Sequence, residues 1–138
     1  EVDGNIVGAI WARIMNDYGH IDENTPSLAM SVLKEDENIL ASLKCNLKSF
    51  IDFTIVDENG VLLVTDTRVL FCKYIGRNLS VVHNFDYKLI TSFNLKEDDD
   101  KNKYIIFKYN GDRVKITNIQ SGDILKVCEV ISNKQRVL

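Results

Sequence analysis

The chemistry this chain offers is concentrated in one acidic run, two histidines and three cysteines. In Lys96-Glu97-Asp98-Asp99-Asp100-Lys101-Asn102-Lys103, the residues Asp98, Asp100 and Asn102 occupy positions 1, 3 and 5 of a calcium loop. Position 6 is then Lys103 where the sharp turn needs glycine, and position 12 is Tyr109 where a bidentate glutamate belongs. The run therefore reads as a solvated hairpin tip. His20 and His83 stand far apart, and neither belongs to an HxxxH or HExxH pair. Cys72 or Cys128 could be set beside His83 as nucleophile and base. Cys72, however, falls inside a β run and Cys128 on the apolar side of a helix, so both read as core. The seven glycines are scattered and form no phosphate loop. These patterns imply no catalysis, no metal and no cofactor. Only a deep polar pocket holding His83 with Cys72 or a carboxylate would favour an enzyme or a metal protein.

Binding chemistry has two candidates. Thr65, Asp66 and Arg68 flank a tight connection, where Asp66 and Arg68 would make a surface recognition pair. The plainer reading has Asp66 bonding its own turn and Arg68 laying its stem along a strand. Lys73, Arg77, Lys88, Lys101 and Lys103 would form a headgroup site if they converged on one barrel end. They are interleaved with Asp86, Glu97, Asp98, Asp99 and Asp100, so the local field is mixed.

Composition narrows the classes. With 138 residues the chain suits one domain, and 45% hydrophobic with 27% charged residues is ordinary for a globular fold. A net charge of −3 disfavours nucleic acid, whose binding rests on neutralising phosphates. Cys45, Cys72 and Cys128 are odd in number and widely spaced, which implies reduced thiols and a cytoplasmic protein. No apolar run approaches the ~18 residues of a membrane span, and no signal-like segment opens the chain. The first residue is Glu1 rather than Met, which leaves open whether residues before it were removed.

Two parts must position these side chains: a helical extension, residues 1–36, and a β-rich body with a closing helix, residues 37–138. Over residues 5–18, Ile6, Val7, Ile10, Trp11, Ile14, Met15 and Tyr18 follow the helical period, with Asp3 or Asn5 as cap and Gly19 as stop. Thr25-Pro26 opens a second short helix carrying Leu28, Ala29, Val32 and Leu33. A first strand is expected from residue 39, continuing through 50–56, before a turn at Glu58-Asn59-Gly60. Further strands are predicted over 61–65, 69–74, 79–85, 89–95, 104–109 and 113–119. Asn110-Gly111 between the last two is a type I′ hairpin signal. From Ser121, an N-cap by type, Ile124, Leu125, Cys128 and Ile131 line a final helix. About seven short strands and one helix predict a mainly β, α+β fold: an antiparallel barrel plugged by its C-terminal helix and preceded by N-terminal helices.

This order resembles the bacterial PH-like domains, in particular the YokE-like group. The resemblance covers about residues 33–133. It rests on the lead-in Leu33-Lys34-Glu35-Asp36-Glu37-Asn38-Ile39-Leu40, on the hairpin Gly60-Val61-Leu62-Leu63-Val64-Thr65-Asp66-Thr67-Arg68-Val69-Leu70-Phe71, and on the strand Phe85-Asp86-Tyr87-Lys88-Leu89-Ile90-Thr91-Ser92-Phe93. The closing strand Val114-Lys115-Ile116-Thr117-Asn118-Ile119 completes it. The resemblance implies a PH-like fold and a non-catalytic role in protein binding or assembly. The alternative is a peripheral lipid-headgroup or membrane-surface domain, which the mixed charge makes the lesser expectation. Ile6, Ile10, Trp11, Ile14 and Met15 form the widest apolar face, serving either self-association, in a homo-oligomer, or the chain's own barrel.

Overall fold

The computed structural model describes residues 32–51, 54–76 and 78–137. The helices expected over 5–18 and from Thr25 fall outside these residues, as does most of the proposed 1–36 extension.

Seven antiparallel strands follow in order: β1 (Ile39–Ile51), β2 (Thr54–Thr65), β3 (Arg68–Ile75), β4 (Asn78–Asp86), β5 (Ile90–Glu97), β6 (Lys103–Tyr109) and β7 (Asp112–Gly122). The helix α1 (Ile124–Val137) closes the chain, and a 3₁₀ turn (Tyr87–Leu89) joins β4 to β5. The sheet order is β4-β3-β2-β1-β7-β6-β5. The long β1 ties the two halves together, pairing β2 from Ile39 to Ile51 and β7 from Leu43 to Phe50.

Alternation drives the curl. Leu43, Cys45 and Leu47 of β1 point inward with Leu62 and Val64 of β2, Val69 and Phe71 of β3, and Val114 and Ile116 of β7. Among the described residues no ladder joins the edge strands β4 and β5. Aromatic side chains join β4 to β6 instead: the Phe85 ring lies 5.0 Å from Tyr109 and 5.4 Å, edge-on, from Phe107. The Asp86 backbone N–H donates to the Tyr109 hydroxyl at 3.0 Å. The helix α1 then seats Val127, Val130 and Ile131 on the enclosed core, and Gln135 Nε2 donates to the Ile90 carbonyl at 2.6 Å.

Three sequence expectations are corrected. The first reversal comes between Ile51 and Thr54, and residues 58–60 lie inside β2. Their polar side chains belong to a solvated ladder: Asn59 Nδ2 donates to Asn46 Oδ1 at 2.7 Å, and Asn46 Nδ2 to Asp57 Oδ1 at 3.2 Å. Ser121 is still in β7; Asp123 caps α1, its Oδ1 accepting from the Lys126 N–H at 3.0 Å. Leu125 is 62% exposed, so the buried stripe runs through Val127, Val130 and Ile131.

The Asn110-Gly111 hairpin forms as expected, with φ of 51° and 91°. Nothing lies near where a Cβ on Gly111 would go, so Gly111→Ala tests backbone strain alone. The variant should lose about 1 kcal/mol, read as a lower urea midpoint at unchanged m-value.

Candidate functional site

Two of the hairpin residues singled out in the sequence, Thr65 and Arg68, converge on a residue whose role there was not read, Glu37. Its carboxylate is 1% exposed and takes a two-pronged bond from Arg68: Nε to Oε2 at 2.8 Å and Nη2 to Oε1 at 2.9 Å. Oε2 also accepts from the Thr65 hydroxyl at 2.7 Å and the Thr67 hydroxyl at 2.8 Å. Oε1 accepts from the Lys34 N–H at 2.9 Å. Burial pushes this carboxyl up, but the bonds from Arg68, the Lys34 backbone, Thr65 and Thr67 outweigh it and hold the pKa at about 2.

The neighbours complete the lock. Arg68 Nη2 also donates to the Val32 carbonyl at 3.1 Å. Asp66 reaches back to the strand lead-in rather than to its own turn: Oδ1 accepts from the Asn38 N–H at 3.1 Å and Oδ2 from Asn38 Nδ2 at 3.2 Å. The Thr65 hydroxyl serves its turn, accepting from the Arg68 N–H at 3.0 Å. The buried Tyr87 hydroxyl donates to the Thr65 carbonyl. The constellation thus pins the chain before β1 to the β2–β3 hairpin and the β4–β5 connection. Chemically it is an internal brace, with both Glu37 oxygens directed at their own chain.

The histidine site is separate. His83 Nε2 lies 2.9 Å from Glu58 Oε1, and Lys73 Nζ lies 3.7 Å from Glu58 Oε2. His83 stacks on Phe85 with centroids 5.7 Å apart. His83 itself lines an open cavity of about 210 Å³ with Ser49, Asn84, Phe85, Tyr109, Asp112 and Val114. So His83 does meet a carboxylate, one already shared with Lys73. It does not meet a thiol. In the β3–β4 register His83 pairs with Phe71, which faces the enclosed core, whereas Cys72 belongs to a second cluster on the sheet's other side. Burial pushes the Cys45 and Cys72 thiols up to about 12, far from nucleophilic at neutral pH.

The remaining candidates are dispersed. Asp98 turns inward on its own loop, its Oδ1 accepting from the Asp100 and Asn102 N–H groups, each at 2.9 Å. No group of three or more metal-ligating side chains occurs among the described residues. Lys73 lies near the β3–β4 turn, opposite Ser80, while Lys88 follows the far end of β4. These two lysines therefore do not share a rim, and Arg77 lies outside the described residues. The apolar face Ile6, Ile10, Trp11, Ile14 and Met15 lies outside them too. No helix among the described residues is long and apolar enough to cross a membrane.

The Glu37 brace was hard to read because its halves lie 31 residues apart and share no period. The available signal was an acidic residue in the lead-in and a cation flanking the hairpin, each needing a partner if buried.

Comparison with known proteins agrees with this architecture. A pleckstrin homology domain from Shewanella amazonensis superposes with a TM-score of 0.54 at 14% identity, over 83% of this chain and 97% of that one. Vav1 inhibited by an allosteric inhibitor also reaches 0.54 at 14% identity, over 96% of this chain but only 33% of that one. At such identities the likeness shows the fold alone. No curated protein sequence matches the chain. The model of the bacterial PH domain family matches residues 33–133, from the segment before the Glu37 brace into α1, and the chain belongs to that family.

Proposed function

We propose that this domain is a non-catalytic binding module of the YokE-like group, serving protein contact in the cytoplasm, a second copy of the chain included. The observation that carries the reading is the Glu37 brace. The strongest polar chemistry on the hairpin is directed at the fold itself, which is what a scaffold needs and an active site does not. Burial of the Cys45 and Cys72 thiols in separate clusters supports a reducing compartment.

The contact surface we assign lies at the two neighbouring hairpin ends of the first four strands. Ile55 is 65% exposed and Ile75 62%, and Val56 is exposed as well. Nearby charges are mixed: Lys48 faces Asp57 at 4.0 Å and Lys73 faces Glu58 at 3.7 Å. Apolar side chains within a mixed-charge rim suit a protein surface better than an anionic bilayer.

The test is mass in solution with vesicle pelleting alongside. The wild type should exceed 15.7 kDa with rising concentration, and Ile55→Asp/Ile75→Asp should return it to that monomer mass. A wild type that stays monomeric and pellets with phosphatidylserine vesicles would replace this reading with lipid-surface binding.

A further inference from the structure

The outer side of the first four strands carries a second hydrophobic layer. In an antiparallel sheet with one wet face, burial alternates along each strand. In β2 every residue from Val61 to Thr65 is buried, and in β3 every residue from Val69 to Cys72. Of these nine, Leu62, Val64, Val69 and Phe71 belong to the enclosed core, and Thr65 to the Glu37 brace. The other four, Val61, Leu63, Leu70 and Cys72, join Ile39 and Leu79 in a separate cluster on the opposite face. The helix α1 does not cover that face, since its buried residues belong to the enclosed core. Among the described residues, Val32 and Leu33 pack there. Two side chains are too few to complete a layer over three strands.

We infer that the chain's own residues 5–18 form the cover, laying Ile6, Ile10, Trp11 and Ile14 on the outer face of β2, β3 and β4. Position supports this occupant. The chain outside the described residues ends at residue 31, and the next residue, Val32, is already on the face, where the brace holds it through Arg68 Nη2 on the Val32 carbonyl and the Glu37–Arg68 pair. Length supports it too. Three strands span roughly 15 Å, a helix of this length about 20 Å, and the intervening residues 19–31 reach well beyond that distance. Sequence supplies the apolar stripe, with the one tryptophan of the chain in its middle. This inference goes beyond the proposed contact surface, which lies on the hairpin ends.

Two thiols make the test internal. Cys72 sits in the outer layer and Cys45 in the enclosed core. In the full chain at monomeric concentration, both should resist iodoacetamide. In Ile10→Asp/Ile14→Asp, Cys72 should alkylate at least about tenfold faster while Cys45 stays protected. Unchanged Cys72 protection in that variant would overturn the proposal. So would Cys72 protection that appears in the wild type only at high concentration, which would make a second copy the cover. If both thiols open together the variant has unfolded, and Trp11 in the wild-type monomer decides. Blue-shifted emission shielded from iodide supports the cover; emission and quenching like those of free indole overturn it.

Discussion

Exchanging Glu37 for alanine is expected to destabilise the domain by about 3–5 kcal/mol, the loss typical of removing one member of a buried ion pair. Arg68 would keep its charge with its side chain only 12% exposed and no carboxylate to face. Two hydroxyls, on Thr65 and Thr67, would lose their acceptor in the same step. Against a total stability of about 5–15 kcal/mol, such a variant would be marginal at 37 °C. Denaturant titration measures the effect. The double change Glu37→Leu/Arg68→Met should recover part of the loss, because no unpaired charge remains. If Glu37→Ala costs under about 1 kcal/mol, the brace is not holding the hairpin.

The same carboxylate sets an acid limit. Its pKa is depressed in the folded state, to about 2 from an ordinary 4.5, so the unfolded chain binds the proton more readily. The stability it contributes is complete above pH ~4.5 and is lost as pH falls toward 2. The drop should amount to about 3 kcal/mol at most, since each tenfold difference in proton affinity is worth about 1.4 kcal/mol. In Glu37→Gln this part of the acid slope should vanish, leaving a flatter stability profile between those two pH values.

What the sequence made legible was local. Asn110-Gly111 needs only two adjacent residues to signal its turn, and the structure has it. The β runs and the final helix were visible because their periods are short, and the family hairpin because its residues are contiguous. Long-range pairing was not. Thr65, Asp66 and Arg68 were read together, yet the group that unites Thr65 and Arg68 is Glu37, across a ladder that brings Ile39 opposite Thr65. Glu58-Asn59-Gly60 imitated a turn because this stretch of β2 pairs with β1 alone, ahead of the β2–β3 ladder, and its polar side chains stay solvated. The same ambiguity hid the outer layer. Val61-Leu62-Leu63-Val64 is uninterrupted, and an uninterrupted run means burial on both faces rather than one.

Gly60 shows how a strand position can imitate a turn, and it carries the second large effect. It pairs with Cys45 in the β1–β2 ladder, one residue before the β2–β3 ladder opens at Val61 and Cys72. A Cβ there would collide with the Cys72 carbonyl oxygen and stand 2.9 Å from Phe71 Cζ. Phe71 is fully buried and ringed by core side chains, and a backbone carbonyl cannot rotate aside. One of the two strands must shift. Gly60→Ala should therefore destabilise by about 3 kcal/mol, at the upper end of overpacking changes. The penalty arises from space and not from φ, so it should grow in Gly60→Val despite valine's preference for strands. Asn59→Ala, one residue earlier on the solvated side, should change stability by only about 0.5 kcal/mol. If Gly60→Ala matches that small value, β3 does not approach β2 this closely and the outer layer built on the two strands loses its geometry. If the loss is large and amide shifts concentrate at Phe71 and Cys72, the close crossing that lets β2 and β3 bury both faces is the reason a glycine stands there.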